Sequence, residues 1–263
     1  MSRVVVKIGG HALDRLDAGS AVLADLATDV AELRGRGDDV ACVHGGGPQI
    51  SALLAERGLV DRFHDGLRIT DDATMEVVAI ALSWVNLAVV AAFGRAGVLG
   101  AGVSGADGAT LTATSLGAPW GRVGATPDVN PALIELLWAG GVTPVVSPVA
   151  LDADGGLLNV NADTVAGALA GTLGAARVVL LSDVERVRAD ADDPASALSR
   201  LESGEARALV ASGAARDGMR PKLRAALDAI AGGASRVTLA GGTGRHALRE
   251  ALAGSIPTTE VVA

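Results

Sequence analysis

The sequence predicts an α/β fold built around a mainly parallel, open sheet. Short apolar runs, such as residues 3–8 and 38–44, alternate with helix-length segments, such as residues 21–37. Each run contains a continuous apolar stretch, at residues 4–6 and 40–43, which is typical of strands that crossover helices bury on both faces. Glycine-bearing turns follow several of the runs, as in HGGGP at residues 44–48. At 263 residues, the chain is long enough to bury a full core around such a sheet.

The first elements follow from hydrophobic spacing. Apolar residues at close to helical spacing between 21 and 37 predict a helix that ends near Gly37, because glycine commonly terminates helices. The segment PQISALLAERG predicts the next helix. The apolar stretch at residues 77–93 is shorter than the ~18 residues that a membrane span needs, and it contains Ser83 and Asn86. We therefore expect a buried or interface helix there.

The middle of the chain has a different texture. Short, glycine-punctuated pieces between residues 99 and 126, such as ATLTAT and WGRVGAT, predict hairpins added to the parallel core. A helix (NPALIELLWAGG) and a buried strand (VTPVVSPV) follow. The run ARVVLLSD then opens a second lobe. Because no Pro/Ser-rich linker separates them, we expect residues 1–176 and 177–263 to form two lobes of one continuous sheet.

Charge and composition argue against several classes of function. The net charge of −8 disfavours non-specific binding to nucleic acid or anionic membranes, which requires a basic surface. Cys42 is the only cysteine, so no intrachain disulfide can form, and the four histidines lack metal-ligand spacing. We therefore expect no metal held by the protein alone. The N-terminal segment lacks the pattern of a secretory signal, and we expect a cytoplasmic protein.

Lysine is nearly absent from this chain, which makes its two occurrences informative. Of 22 basic residues, only Lys7 and Lys222 are lysines. A lysine ammonium is a compact point charge that the planar arginine fork replaces poorly at a single transferring oxygen. We interpret the two lysines as retained for phosphate chemistry; the alternative is that both are chance survivors of a biased composition.

Glycine turns follow three of the predicted strands, in KIGGHA, HGGGPQ and GVSGADG. Open parallel sheets bind ligands beyond the carboxyl ends of their strands, and glycine lets backbone N–H groups approach an anion closely. The turns therefore predict a phosphate site, although a tight strand–helix connection explains each turn equally well. Neither a Walker loop nor a dinucleotide-binding fingerprint is present.

Two further side chains could contribute to an anion site, one by orienting the lysines and one by contacting the substrate. Asp163, in NVNAD, could orient lysine ammonium groups through charge-assisted hydrogen bonds, or it could cap a helix. Arg68, in GLRITDD, presents a fork of donors that matches a carboxylate, although a surface role is the alternative.

Taken together, the motifs resemble those of the amino acid kinase family in order and approximate spacing. The resemblance covers nearly the whole chain, and GLRITD with NVNAD is similar to the acetylglutamate branch of that family. It implies a three-layer αβα sandwich with acyl-substrate binding and dimerisation in residues 1–176 and ATP binding in residues 177–263. The matching motifs are VVVKIGG, VHGGGPQI, GLRITDDATMEVV, GLLNVNADTVAGALAGTLGA, VVLLSDV and DGMRPK.

The resemblance also implies a role for each matching residue. Lys7 and Lys222 would stabilise the transferring phosphoryl group, and Asp163 would orient both lysines. Mg2+ would arrive bound to ATP. The implied acetylglutamate-binding residues are Gly46, Gly47, Arg68 and Asn159. The implied phosphate- and ATP-binding residues are Gly9, Gly10, Gly45, Asp183, Val184, Arg188, Gly218 and Met219.

The implied reaction is ATP-dependent phosphorylation of the γ-carboxylate of N-acetyl-L-glutamate in arginine biosynthesis. That carboxylate is already a nucleophile at neutral pH, so positioning and charge neutralisation suffice without a general base. One alternative is a kinase for glutamate or aminoadipate linked to an acidic carrier protein; the net charge of −8 argues against such a partner, whereas local arginines such as Arg186 and Arg220 keep this alternative open. Another is a non-catalytic nucleotide-binding member, against which the retention of both lysines and Asp163 argues.

Several features differ from the pattern that the resemblance implies. Arg186 stands where the family usually has glycine, and Arg220 stands where an apolar residue is usual. The chain also starts at its first strand, without the N-terminal helix of hexameric, arginine-inhibited members. We therefore expect a homodimer without strong feedback inhibition by arginine.

Overall fold

The computed structural model describes residues 2–215 and 219–263. In these residues the helices are α1 (Ala21–Gly35), α2 (Gly47–Glu56), α3 (Asp72–Arg95), α4 (Ala132–Ala139), α5 (Ala162–Thr172), α6 (Ser203–Ser212), α7 (Met219–Ala231) and α8 (Ala247–Ala253). The strands are β1 (Arg3–Ile8), β2 (Asp39–His44), β3 (Phe63–His64), β4 (Leu67–Arg68), β5 (Gly100–Ser104), β6 (Leu111–Thr112), β7 (Ser115–Gly117), β8 (Gly121–Gly124), β9 (Asp128–Val129), β10 (Thr143–Ser147), β11 (Val149–Leu151), β12 (Leu157–Asn159), β13 (Arg177–Ser182), β14 (Val187–Arg188), β15 (Ala197–Leu198), β16 (Arg200–Glu202), β17 (Arg236–Gly241) and β18 (Thr258–Val262).

The main sheet has eight strands in the order β16-β18-β17-β13-β1-β2-β10-β5. All neighbouring pairs are parallel except β17 and β18, which run antiparallel. Strand β13 pairs with β1, so residues from both halves of the chain contribute to one sheet. The predicted mainly parallel, open sheet is confirmed.

Helices cover both faces of this sheet, which gives the predicted three-layer αβα arrangement. On one face, Val4, Val6 and Ile8 of β1 pack with buried residues of α1, α3 and α8. On the other face, Val5 packs with buried residues of α4, α5, α6 and α7. Side chains alternate along a strand, so Lys7 shares the face of Val5 and lies on the side of α5 and α7.

Most of the β-type pieces predicted between residues 99 and 126 lie in a second sheet, whereas β5 is an edge strand of the main sheet. Antiparallel pairs join β7 to β8 and β6 to β9, as hairpin-like pieces require. These pairs agree with the predicted hairpins, and β11 and β12 join them into one six-stranded sheet in the order β7-β8-β12-β11-β6-β9. The pairings of β11 with β6 and of β12 with β8 bridge residues far apart in sequence, which local turn signals do not report.

Helix α3 contains the apolar stretch at residues 77–93. The helix is long and apolar enough to cross a membrane, since its most apolar 18-residue window has a mean hydropathy of 2.2. However, 56% of that window is buried inside the protein. Val85, Val89 and Phe93 belong to the core between α3 and the main sheet. The helix is therefore a core element, in agreement with the predicted buried or interface helix.

Candidate active site

Lys7, Asp163 and Lys222 meet at the centre of the molecule. The Nζ atom of Lys7 forms an ion pair with Oδ1 of Asp163 at 3.0 Å. Lys222 Nζ donates a hydrogen bond of 3.0 Å to Oδ2 of the same carboxylate. All three residues are buried, with exposed fractions of 6%, 4% and 9%. The structure thus brings together the three residues that the sequence predicted as a group.

Each member of this cluster comes from a different element. Lys7 is next to last in β1, Asp163 is in the first turn of α5, and Lys222 is in the first turn of α7. Asn161 caps α5, its side chain accepting hydrogen bonds from the backbone N–H groups of Asp163 and Thr164. A carboxylate is favoured in the first turn of a helix because the N-terminal end of the helix dipole is positive.

Close packing of α5 and α7 allows Asp163 and Lys222 to meet. A Cβ atom placed on Gly167 of α5 would lie 2.7 Å from the carbonyl oxygen of Ala225 in α7. Gly171 and Gly232 approach each other in a similar way. A Cβ atom added to Gly232 would lie 2.2 Å from the Cα atom of Gly171. Larger side chains at Gly167 or Gly232 would push the two segments apart and separate Lys222 from Asp163.

Burial and charge oppose each other in the cluster. Burial lowers the pKa of Lys7 from its ordinary value, and Lys222 lowers it further, while Asp163 acts in the opposite direction. For Asp163, burial favours the neutral acid, but the two lysines outweigh it and hold the pKa of the carboxyl below its usual value. With both amines protonated, two ammonium groups face one carboxylate, and the surplus positive charge suits a phosphoryl group.

Gly9 lies directly beside the ammonium group of Lys7. A Cβ atom at Gly9 would be 2.0 Å from Lys7 Nζ, so no other residue fits without moving the lysine. Gly10 follows and begins a short 3-10 turn, Gly10–Leu13. Glycine at position 9 therefore leaves room for the Lys7 ammonium group at the carboxyl end of β1.

The glycine turn after β2 is fixed by a buried network. Gly45 donates its backbone N–H to the carbonyl oxygen of Ile8, which ties the turn to the end of β1. Nδ1 of His44 lies 2.7 Å from the carbonyl oxygen of Gly45, and Nε2 lies 3.1 Å from Nδ2 of Asn86. Burial lowers the pKa of His44 to about 4, so the imidazole is neutral near pH 7, with Nδ1 as the donor.

Gly46 and Gly47 form the start of α2, where backbone N–H groups have no partner within the helix. A Cβ atom at Gly46 would lie 2.8 Å from Leu82 of α3, so this turn packs tightly against that helix. The arrangement places helix donors beside the turn, as an anion site requires.

A cavity of about 200 Å³ lies in front of this turn. It brings together Gly45 with all four residues predicted to bind acetylglutamate. Asn159 Nδ2 donates to Thr70 Oγ1, which itself donates to the carbonyl oxygen of Arg68. We call this space the acceptor cavity; the predicted residues that line it are Gly45, Gly46, Gly47, Arg68 and Asn159.

Sequence reasoning missed the residues that hold Arg68. Its guanidinium donates to the carboxylate of Asp61, to Ser51 Oγ and to the carbonyl oxygen of Gly47. It also lies 4.7 Å above the centre of the Phe63 ring. The alternative that Arg68 is a surface residue is wrong, because the residue is only 7% exposed.

A second cavity, of about 800 Å³, borders the cluster at Lys222. Lys222 lines it together with Asp183, Val184, Arg188 and Met219. We call it the nucleotide cavity. Gly218, also predicted for ATP binding, lies outside the described residues. Among residues 2–215 and 219–263, no group of three or more His, Cys, Asp or Glu side chains is arranged to hold a metal ion.

Arg186 also lines the nucleotide cavity. Its Nε atom is buried and has no hydrogen-bond partner within the described part of the chain. A buried donor without a partner is costly, so this atom is suited to an acceptor on a ligand.

The two cavities approach each other at the cluster. Asn161 and Ala162 line the acceptor cavity, and Asp163 follows them directly in sequence. Asp163 in turn holds Lys222, which lines the nucleotide cavity. The arrangement can bind two molecules in cavities next to the cluster, and direct transfer of an anionic group requires such proximity.

Known proteins are similar to this chain in sequence or in fold. Acetylglutamate kinase of Methanococcoides burtonii is 37% identical over 238 residues, covering 86% of this chain and 77% of that protein. Acetylglutamate kinase of a Synechococcus strain is 41% identical over 231 residues, covering 87% and 78%.

Solved structures give the same fold. N-acetylglutamate synthase from Neisseria gonorrhoeae, complexed with coenzyme A and N-acetyl-glutamate, has a TM-score of 0.82 at 23% identity, over 100% of this chain and 59% of that one. Carbamate kinase from Giardia lamblia, bound to AMP-PNP, has a TM-score of 0.69 at 17% identity, over 99% and 98%. The model of the amino acid kinase family matches residues 2–241. The match spans both cavities and the cluster between them, and the chain belongs to the amino acid kinase family.

Proposed function

We propose that this protein phosphorylates the γ-carboxylate of N-acetyl-L-glutamate with ATP, forming N-acetylglutamyl 5-phosphate for arginine biosynthesis. The observation that carries this proposal is the Lys7–Asp163–Lys222 cluster between two cavities. The acceptor is supported by relatives named acetylglutamate kinase at 37% and 41% identity over most of the chain.

The acceptor binds in the smaller cavity. Arg68 and Asn159 supply polar side chains, and Gly46 and Gly47 supply backbone groups at the start of α2. A volume of about 200 Å³ suits a small dicarboxylate. Arginine presents its donors in a fork that matches a carboxylate. The carboxylate that does not react is therefore the group that Arg68 holds.

ATP binds in the larger cavity, on the side of residues 177–263. Asp183, Val184, Arg188 and Met219 form part of its lining, and Gly218 belongs to the same proposed set. Mg2+ enters with the nucleotide and neutralises part of the phosphate charge. In this proposal residues 1–176 bind the acceptor, and residues 177–263 bind ATP.

Phosphoryl transfer then requires positioning and charge neutralisation. An oxygen of the γ-carboxylate attacks the γ-phosphorus, and the bond to the β–γ bridging oxygen breaks as ADP leaves. Lys7 approaches the phosphoryl group from the acceptor side, Lys222 approaches it from the nucleotide side, and Asp163 orients both. Backbone N–H groups of Gly9 and Gly10 donate to phosphate oxygens, whereas the backbone N–H of Gly45, also expected to do so, is already donated to the carbonyl oxygen of Ile8. The carboxylate is ionised at neutral pH, so no side chain has to remove a proton.

The protein acts as a cytoplasmic homodimer in this proposal. An apolar stripe on α3 supports the dimer, since Ile80, Trp84 and Leu87 are 47%, 62% and 63% exposed. Spacings of four and three residues place these side chains on one helix face. Exposed apolar surface of this kind is typical of protein–protein contacts.

Trapping the acyl phosphate tests the proposed reaction. Incubation with N-acetyl-L-glutamate, ATP, Mg2+ and hydroxylamine should give the acyl hydroxamate and one ADP per hydroxamate. Absence of hydroxamate with acetylglutamate would refute the proposed acceptor. Hydroxamate formed only on a carrier-protein-linked glutamate or aminoadipate would support the carrier-linked alternative.

A further inference from the structure

The arginine of the acceptor cavity is held by a carboxylate from a neighbouring loop. Asp61 lies between α2 and β3, and its Oδ1 accepts a hydrogen bond from Nη1 of Arg68. Its other oxygen, Oδ2, accepts a hydrogen bond of 2.6 Å from Ser51 Oγ on α2. Both carboxylate oxygens of Asp61 are therefore committed, and the carboxylate is anchored from two sides.

The same contacts leave Arg68 partly free for a ligand. Nη2 donates to the carbonyl oxygen of Gly47 and to Ser51 Oγ, both at 3.2 Å. A guanidinium has five N–H donors, so Nε–H and one N–H of Nη1 have no partner in the described residues. Arg68 lines the acceptor cavity, and these two donors are available to an anion there.

We propose that Asp61, anchored by Ser51, is a positioning residue that holds Arg68 ready for the carboxylate of the acceptor. This inference rests on the proposed function. An unrestrained arginine loses rotamer freedom when it binds a ligand, whereas Asp61 and Ser51 impose that ordering when the protein folds. Ser51 lies in α2, Asp61 lies in the loop before β3, and Arg68 lies in β4. Their hydrogen bonds therefore also fix the β3–β4 hairpin relative to the glycine turn before α2.

A competing role for Asp61 predicts the opposite result. If Asp61 only neutralised Arg68, its removal would leave a stronger cation in the cavity and tighten binding of an anionic acceptor. A positioning role predicts weaker binding. The sign of the change therefore distinguishes the two roles.

The test compares Asp61→Ala and Asp61→Asn in the full-length protein. We expect Asp61→Ala to raise both the Kd and the KM for N-acetyl-L-glutamate about 10- to 30-fold, as loss of a preordered arginine implies. The kcat and the KM for ATP should stay within about twofold, because the lysine cluster is untouched. Asp61→Asn, which can still accept from Arg68, should show a smaller increase. Titration calorimetry measures the Kd without turnover.

Asp65→Asn is the matched control. It removes one negative charge from the adjacent β3–β4 hairpin. Asparagine tolerates the positive φ of 49° at that position. The acceptor KM of this variant should not change.

Unchanged or tighter acceptor binding in Asp61→Ala would overturn the inference, as would a parallel loss of acceptor binding, ATP binding and thermal stability. If the wild-type protein neither binds nor phosphorylates acetylglutamate, the proposed function itself fails; if it does both, the Asp61 variants judge the inference alone.

Discussion

Lys7 and Lys222 share one carboxylate, although they come from opposite ends of the chain. Each ammonium nitrogen lies 3.0 Å from a different oxygen of Asp163. The three side chains are buried, so their interaction is stronger than that of an exposed pair and little screened by salt. The cluster therefore fixes two positive charges at one point, between the acceptor cavity and the nucleotide cavity.

Lys222→Arg should lower kcat by roughly 10- to several-hundred-fold while the Kd for ATP stays near the wild-type value. The planar guanidinium cannot place a single donor where the compact ammonium lies, so it stabilises the transferring group less well. Single-turnover kinetics and nucleotide titration separate the two effects. Arg224→Lys makes the reverse exchange at an exposed position of the same helix and should leave both quantities unchanged. Unchanged turnover in Lys222→Arg would contradict the catalytic role.

Arg186→Ala should weaken the binding of ADP about 10-fold, because a buried arginine donor loses its charge-assisted hydrogen bond to phosphate. Binding of adenosine, which lacks phosphate, should not change. Nucleotide titration of both ligands checks this expectation. Arg207→Ala removes an exposed arginine that does not line the cavity and serves as control. Equal losses for ADP and adenosine would show that Arg186 does not contact phosphate.

The sequence predicted the catalytic candidates better than their supports. Lysine rarity singled out Lys7 and Lys222, and strand alternation determines which face of the sheet Lys7 occupies. Asp61 and Ser51 could not be found this way, since neither residue belongs to a recognisable pattern. Their role depends on packing of α2 against the β3–β4 hairpin, which is a tertiary property.

The network around His44 shows the same limit. Asn86 was visible as a polar residue within an apolar helix, but its contact with His44 joins residues 42 positions apart. The pairing of β11 with β6 is likewise long-range, and it joins the predicted hairpins into a continuous sheet. Local propensity reports elements, whereas contacts between distant elements depend on how the complete core packs.

Trp84→Glu should convert the proposed homodimer into a monomer. Trp84 lies in the middle of the exposed apolar stripe on α3, and a carboxylate there would be buried without a partner in a dimer. Light scattering coupled to size exclusion measures the mass of each species. Glu76, an exposed residue of the same helix, provides the control Glu76→Gln. A wild-type monomer or hexamer would refute the homodimer, and a dimeric Trp84→Glu protein would exclude this face as the contact.

Asp163→Asn should move the alkaline limb of the pH–rate profile to lower pH. Asp163 raises the pKa of Lys7, while burial and Lys222 lower it. Loss of the negative charge therefore leaves mainly the weaker influence of Asp183 to oppose the lowering effects, and Lys7 loses its proton at a lower pH than in the wild type. Since the protonated amine is the form that stabilises the phosphoryl group, activity should fall earlier as pH rises.

The same variant should also lose roughly 10²-fold or more in kcat at neutral pH, because neither lysine remains oriented. The profile of kcat/KM against pH, measured for both proteins, checks the shift. Asp228→Asn, at a carboxylate of α7 that does not contact either lysine, controls for the removal of a negative charge nearby. An alkaline limb that stays in place, or moves to higher pH, would show that Asp163 does not set the protonation of Lys7.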